Sequence, residues 1–416
     1  MTTRDQSGWL VVGVLFVTLF LIWGPVNAGG VFFLPVIRSF GWSRAQFSAL
    51  GGLAAIAAGI SGPFIGWLID RVGARVVMIA GTIGVVVYNL ALSRASSLPE
   101  FAALFIVAGV AIAASTILPC SIVITAWFAA RRGLAMGIAF AGIPLGGAGI
   151  TLLANYIVQR HGWRAGYVAM ALPVAAIVVP ALVVYLRARP PAIEPLPGGV
   201  GPGATPAPAA LPGLKVREAL QARSLWLIAV AQLLLSTAWV GVGAHLIPYL
   251  IGVGWTPTLA AEVISIAFVF SAGGNFFFGA LADRLNGRIT LGLVCFAGAA
   301  GITALFYAAH GGALLLYLLF FGTVGGTRAV LIPLVIVDSL GVKHLGTLLG
   351  MVGIFATIGF AAGPIIAGRI YDVTGSYTTA FWLFIVLSLL ASAAIFGCRP
   401  LAEEQSRVAS AEPSAA

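Results

Sequence analysis

Three polar side chains sit inside stretches that are otherwise almost wholly apolar, and each carries a distinct chemistry. Arg328 lies in the run Gly-Thr-Val-Gly-Gly-Thr-Arg-Ala-Val-Leu-Ile, ten residues before Asp338, which is about 15 Å along a helix at about 1.5 Å per residue. A guanidinium is a planar fork of donors that stays charged and matches a carboxylate. Asn275 precedes Asp283 by eight residues, so it reaches a similar depth as a neutral hydrogen-bonding group. His245 is the histidine placed inside an apolar stretch away from its ends, and an imidazole titrates near neutral pH, as a proton-coupling group must. No Asp or Glu stands at the depth of Arg328, so its expected partner is an anion from outside the chain. The structural alternatives are an ion pair with an acid elsewhere, or a long side chain reaching out of the apolar layer. For His245 the alternative is a hydrogen-bonded packing residue.

Other chemistries are missing from the sequence. The cysteines Cys120, Cys295 and Cys398 stand alone in apolar runs, without CxxC or Cys/His metal spacing, and read as small packing residues. No nucleophile–base pair and no GxxxxGK[ST] loop occurs, so an enzyme and an ATP-driven pump are both excluded, and no cofactor or metal is expected.

The elements that must hold these residues are set by composition. Of 416 residues, 60% are hydrophobic and 8% are charged, against about 25% charged in a soluble domain. A soluble chain of this length could not cover its surface, which leaves an all-α polytopic membrane protein. The net charge of +10 comes from Arg scattered singly or in pairs, with no basic stripe, so no nucleic-acid partner is expected. No cleavable signal peptide is expected, because the first apolar run continues past Val31.

Cutting at charge, Pro and Gly clusters gives twelve spans, roughly 10–36, 46–68, 76–94, 100–125, 134–157, 166–186, 224–251, 259–281, 289–309, 312–337, 346–369 and 379–398. Each is near the ~20 residues a bilayer core requires. Arg4, Arg71, Arg75, Arg131, Arg132, Arg187, Arg189, Lys215, Arg217, Arg223, Arg284, Arg288, Lys343, Arg399 and Arg407 fall on one side. Only Arg38, Arg44, Arg94, Arg160, Arg164 and Arg369 fall on the other. The positive-inside rule then puts both termini in the cytoplasm, in a multi-pass protein of the inner (plasma) membrane. Residues 1–186 form a first set of six spans and 224–398 a second. Between them, 187–223 is a cytoplasmic Pro/Gly-rich linker, with eight prolines in 190–212, and 399–416 is a cytoplasmic tail. Leu214 to Arg223 is expected to lie on the membrane surface as a short amphipathic helix.

The two halves repeat at an offset of 213 residues. Pro35 maps onto Pro248, Gly41-Trp42 onto Gly254-Trp255, Gly137 onto Gly350 and Gly162 onto Gly375. Gly66-Trp-Leu-Ile-Asp70-Arg71-Val-Gly-Ala-Arg75 maps onto Gly279-Ala-Leu-Ala-Asp283-Arg284-Leu-Asn-Gly-Arg288. In such a loop Gly lets helices approach closely. The Asp can cap a helix N-terminus or pair with an Arg of a neighbouring helix, forming a latch that breaks as a cytoplasmic gate opens. Simple positive-inside anchoring is the alternative. Parallel repeats of this kind suit rocker-type carriers that hold their cargo between the halves.

These doubled loops, the twelve spans and the six-plus-six division closely resemble the major facilitator superfamily. The segment Trp127-Phe128-Ala-Ala-Arg131-Arg132-Gly-Leu134-Ala135-Met-Gly137-Ile-Ala139-Phe-Ala-Gly142 is similar to the signature between the fourth and fifth helices of its monocarboxylate transporter and oxalate–formate antiporter branch. The resemblance implies two pseudo-symmetric six-helix bundles working by alternating access, with spans one, four, seven and ten lining the path. Polar or aromatic wall candidates are then Asn27, Ser115, Thr116, Ser121, Thr125, Gln232, Ser236, Trp239 and Thr327. Ser115 is the repeat counterpart of Arg328, so the two are expected to face each other across the pseudo-twofold axis. The branch often carries an anion-binding Arg on the eighth helix, in a Gly-Arg pair. Here that pair reads Gly274-Asn275, which suggests that the charge has moved to Arg328 on span ten. Span one lacks the Lys of animal members and offers Asn27. Glu262 and Asp338 lie near span ends and read as gate or capping residues, while Pro25, Pro119, Pro144, Pro333 and Pro364 would weaken or bend helices.

The expected function is secondary transport of a small organic anion, monocarboxylate-like, coupled to a proton. An anion exchanger, an efflux transporter of amphiphiles and a non-transporting sensor are the rivals. A single chain can suffice.

Overall fold

A computed structural model describes residues 3–128, 130–186, 213–309 and 311–411; of the linker expected at 187–223, residues 187–212 lie outside the described residues. Among the described residues, eleven helical segments are long and apolar enough to cross a membrane. One of them, Arg132–Tyr185, has 54 residues and would be about 81 Å long if straight, far more than the ~30 Å hydrocarbon layer. It is two crossings, joined at Gly162, whose backbone leaves the helical region (φ 78, ψ 168). The described residues therefore make twelve crossings, in two six-helix bundles.

Several crossings are broken where the sequence removes a backbone donor or relaxes the backbone. The first runs as Thr3–Asn27 and resumes as Gly29–Phe40 just after Pro25. The fourth is split into Leu98–Ser115 and Ile117–Trp127 by a non-helical Thr116 (φ −121, ψ −114), because Pro119 has no N–H to offer the Ser115 carbonyl. The tenth consists of Gly311–Tyr317, a π turn over Leu318–Gly322, a turn at Gly325-Gly326 and the helix Thr327–Leu340. The remaining crossings of the second half are Arg223–Gly252, Pro257–Leu285, Gly287–Leu305, Leu345–Thr374 and Thr378–Phe396. A short helix, Val216–Gln221, precedes the seventh crossing where the sequence suggests a surface helix.

The repeat is visible in the backbone. Gly41 (φ 70) and Gly254 (φ 102) turn at equivalent places, as do Gly162 (φ 78) and Gly375 (φ 68). Equivalent bonds close the first of these turns, from Trp42 N–H to the Ile37 carbonyl and from Trp255 N–H to the Leu250 carbonyl. The doubled Asp-Arg loops bend at Gly73 (φ 89, ψ 150) and at Asn286 (φ 76, ψ 161). That region of backbone space belongs almost entirely to glycine. Asn286 holds it because its Oδ1 accepts from Ile289 N–H at 2.9 Å, capping the ninth crossing. Asn286→Ala should therefore cost about 1–3 kcal/mol from the lost cap and the uncompensated strain. Asn286→Gly should cost clearly less. Thermal unfolding of the purified protein checks the order, and equal losses would contradict it.

The halves meet along two seams, the second crossing against the eleventh and the fifth against the eighth. Both are built from glycine. A Cβ on Gly66 would stand 2.1 Å from the Gly346 carbonyl oxygen, and one on Gly133 would stand 2.0 Å from that of Gly279. Such backbone contact is the small-residue packing that helices use where water supplies no drive for association.

Candidate functional site

Arg328 is the second residue of the helix Thr327–Leu340, just after the Gly325-Gly326 turn, and it is 8% exposed. Both glycines are needed at the turn. A Cβ on Gly325 would lie 2.9 Å from the Trp239 indole nitrogen, and one on Gly326 would lie 2.7–2.8 Å from the side chains of Ser271 and Asn275. The Arg328 guanidinium donates from Nη1 to Ser236 Oγ at 2.9 Å. It lies over the Trp239 ring at 4.7 Å and the Phe360 ring at 5.3 Å. Its buried Nε has no hydrogen-bond partner. Among the described residues no carboxylate comes within ion-pair distance of it. Beside it is a cavity of about 10 Å³, lined by Trp239, Cys295, Phe321 and Ser388 among others, which is room for a single water.

A cation at this depth costs about 2.5–3.5 kcal/mol even on insertion scales. Two cation–π contacts, each worth about 0.5–2 kcal/mol, and one hydroxyl offset part of that cost. The guanidinium thus keeps unspent donors of the geometry that suits a carboxylate.

The other expected wall residues behave differently. Ser115 is fully buried and donates to the Ala111 carbonyl at 2.7 Å. It makes no hydrogen bond to Arg328, its hydroxyl being satisfied within its own helix. Thr116 and Ser121 likewise donate to the carbonyls of Ile112 and Ile117 at 2.7 and 2.8 Å. Thr327 bonds to the Thr323 carbonyl at 2.7 Å. Thr125 Oγ1 and Gln232 Oε1 are buried without a partner. Asn27 is exposed, and its Nδ2 reaches the Ile143 carbonyl at 3.4 Å. Asn275 is 1% exposed and does not bond to Arg328; it donates across the seam to the Phe140 carbonyl at 3.2 Å.

His245 is half-buried at the end of the second bundle opposite the Asp-Arg loops. Its Nε2 lies 3.1 Å from the Pro364 carbonyl and its Nδ1 lies 3.1 Å from the Tyr377 hydroxyl. A carbonyl only accepts, so Nε2 carries the proton and Nδ1 accepts from Tyr377 in the neutral ring. The imidazole thereby ties the seventh, eleventh and twelfth crossings together.

On the face with the Asp-Arg loops, each half caps the other. Asp70 accepts from Thr347 N–H at 3.1 Å and from its hydroxyl at 2.7 Å, at the first turn of the eleventh crossing. Asp283 accepts from Gly133 N–H at 2.7 Å and Leu134 N–H at 2.9 Å, at the first turn of the fifth. Gly133 and Leu134 are the repeat counterparts of Gly346 and Thr347, so one latch occurs twice. Carboxylates at helix N-termini satisfy orphan N–H groups and the helix dipole together. The arginines are used elsewhere. Arg71 stacks on Trp67 at 4.3 Å. Arg75 donates to the Val183 carbonyl and Arg288 to the Cys398 carbonyl, both at 2.7 Å, each at the end of its own bundle's last crossing. Arg132 donates from Nε to the Phe128 carbonyl, and Arg131 and Arg284 are exposed. Asp338 accepts from Gly287 N–H at 2.8 Å and caps the ninth crossing.

Ser236 is one of the wall candidates named from the sequence, whereas two participants have no sequence signal: Phe360 is one aromatic among many, and buried Glu404 lies in the tail helix Leu401–Ala411. Its carboxylate accepts from Ser224 N–H and Oγ at the start of the seventh crossing.

The family model described as Major Facilitator Superfamily matches residues 14–336 and 253–415. Monocarboxylate transporter 13 of Bos taurus is 26% identical over 378 residues, covering 90% of this chain and 85% of that protein. Among solved structures, the E. coli fucose:proton symporter matches with a TM-score of 0.72 at 14% identity, over 94% of this chain and 98% of that one. The human organic anion transporter MFSD10 matches with the same score and identity, over 94% and 100%.

Proposed function

The chain belongs to the Major Facilitator Superfamily and is a multi-pass membrane transporter, not an enzyme, and from that premise we propose that it carries a small organic monoanion with a proton by alternating access. Arg328 is the anion-binding group. The observation that carries this reading is a buried guanidinium with an unpaired Nε and no carboxylate near it among the described residues. One cation between apolar aromatic walls suits a monocarboxylate; a dianion would call for two. The 26% likeness to a protein named as a monocarboxylate transporter supports the same class.

Trp239 and Phe360 cover the guanidinium, and the anion displaces them to take its free edge. Gln232, one helical turn from Ser236 on the seventh crossing, and Asn27 on the first are neutral polar groups for the anion's path. The Asp-Arg loops face the cytoplasm of the inner (plasma) membrane, as do both termini, and the Asp70 and Asp283 latches close that gate. Proton coupling runs through His245. Protonation at Nδ1 forces the Tyr377 hydroxyl to reverse from donor to acceptor, which alters the tie between three crossings.

Uptake of a panel of labelled carboxylates into proteoliposomes under an imposed pH gradient tests the reading. Accumulation of a monocarboxylate that collapses with a protonophore is expected. Counterflow that persists unchanged beside absent gradient-driven accumulation would establish an exchanger instead. His245→Gln should retain counterflow but lose most of the stimulation by the pH gradient, because the amide cannot take up the proton. Full stimulation in that variant would remove His245 from the coupling.

A further inference from the structure

The Asn275 bond crosses from one bundle to the other, and its acceptor is unusual. In an unbroken helix the Phe140 carbonyl would accept from the N–H of residue 144, but residue 144 is proline and has none. The orphaned oxygen is taken instead by Asn275 Nδ2 at 3.2 Å, with Asn275 only 1% exposed. A carbonyl buried away from water is costly to leave unpaired.

The equivalent place on the other seam is built differently. Gly62 stands where Asn275 would, packed on the Gly350 backbone. The carbonyl of Gly353, counterpart of Phe140, is taken at 3.2 Å by Thr357 Oγ1 of its own helix. Only the seam between the fifth and eighth crossings therefore has this inter-bundle side-chain bond at that depth, among the described residues. Asn275 also touches the turn that carries Arg328, since a Cβ on Gly326 would lie 2.8 Å from both its Oδ1 and its Nδ2.

We propose that Asn275 and Pro144 form an intramembrane latch. The proline frees a carbonyl on one bundle so that an asparagine on the other can hold the seam closed, and the latch releases when the bundles rock apart. Asn275 is a positioning residue: it sets the balance between closed and open states and touches the anion site only through Gly326. The inference rests on the rocking of the two bundles, not on which anion is carried.

The test uses the full-length protein in lipid nanodiscs without substrate. Spin labels are placed by Val72→Cys and Leu285→Cys, exposed repeat counterparts on the latched face, while Cys120, Cys295 and Cys398 are buried. Double electron–electron resonance reads the open-to-closed ratio. Asn275→Ala should raise that ratio by roughly three- to twentyfold, the range of interhelical hydrogen bonds in membranes. In a Pro144→Ala background the carbonyl regains its own amide, so adding Asn275→Ala should change the ratio by less than about twofold. An equal shift in both backgrounds, or none in either, overturns the proposal. Should Asn275→Ala fail to fold, Gly326→Ala displaces the Asn275 side chain from its place and must give the same background-dependent shift. Because no anion is present, a wrong substrate assignment leaves this result unaffected.

Discussion

Arg328→Ala is expected to lower monocarboxylate uptake at subsaturating concentration by at least about thirtyfold, the lower end of what losing a buried, hydrogen-bonded charge partner costs. If the cargo is a carboxylate, it leaves water for a site whose only nearby charge among the described residues is this guanidinium, so without it nothing compensates for the lost hydration. Arg328→Lys keeps the charge but loses the planar fork and the stacking between Trp239 and Phe360. It should recover only a minor part of the activity. Arg328→Ala should fold, because removing an unneutralised buried cation relieves a cost, and thermal unfolding shows what Arg328→Lys, which keeps that charge, does to the fold. Uptake kinetics beside thermal unfolding separate the two effects. A well-folded Arg328→Ala protein with ordinary uptake would sink the site.

Gly66→Ala and Gly133→Ala should each move the resting state strongly towards the form with the seams parted. The new methyl would fall at 2.1 Å and 2.0 Å from opposing carbonyl oxygens, Gly346 and Gly279, closer than any real contact, and the obstacle is backbone rather than a side chain that can swing away. Overpacking of this kind costs about 1–3 kcal/mol, which is roughly a 5- to 150-fold change in the population ratio. Because the contact exists only in the latched state, the cost falls on that state alone, and the bundles themselves should stay folded. Gly52→Ala is the control, since a methyl there meets nothing within 4 Å. Distances between the labelled positions 72 and 285 report the outcome. Unchanged distances in both seam variants would show that the glycines are incidental.

What the sequence displays and what it hides follow from which forces leave a linear trace. Crossings are legible because the bilayer demands about twenty apolar residues in a row, and the 213-residue repeat survives as glycines that turn alike, Gly41 with Gly254 and Gly162 with Gly375. Arg328 is legible because a lone charge in such a run is conspicuous. Its clasp is not, since Ser236 lies 92 residues away and is reached through helix packing that hydropathy does not encode. The hydroxyls show a related effect. Ser115, Thr116 and Ser121 point to the carbonyl one turn back, as a hydroxyl in a dry helix does, so a Ser or Thr in an apolar run does not by itself mark a cavity wall. The Asp-Arg loop left two readings open, helix cap or Asp–Arg pair. The caps are what form, at Gly133, Leu134 and Thr347, because helix N-termini present orphan N–H groups that no arginine can satisfy.

The claim that an organic monoanion binds at Arg328 is tested most directly by equilibrium binding, free of gradients and turnover. Purified wild-type and Arg328→Ala protein should be melted across a series of small monocarboxylates and one matched dicarboxylate. At a concentration a hundred times the dissociation constant, a ligand that binds only the folded form stabilises it by about 2.7 kcal/mol. A saturable rise in melting temperature is expected for at least one monocarboxylate with the wild type and none with Arg328→Ala. A monocarboxylate that raises the melting temperature of both proteins equally would contradict binding at Arg328.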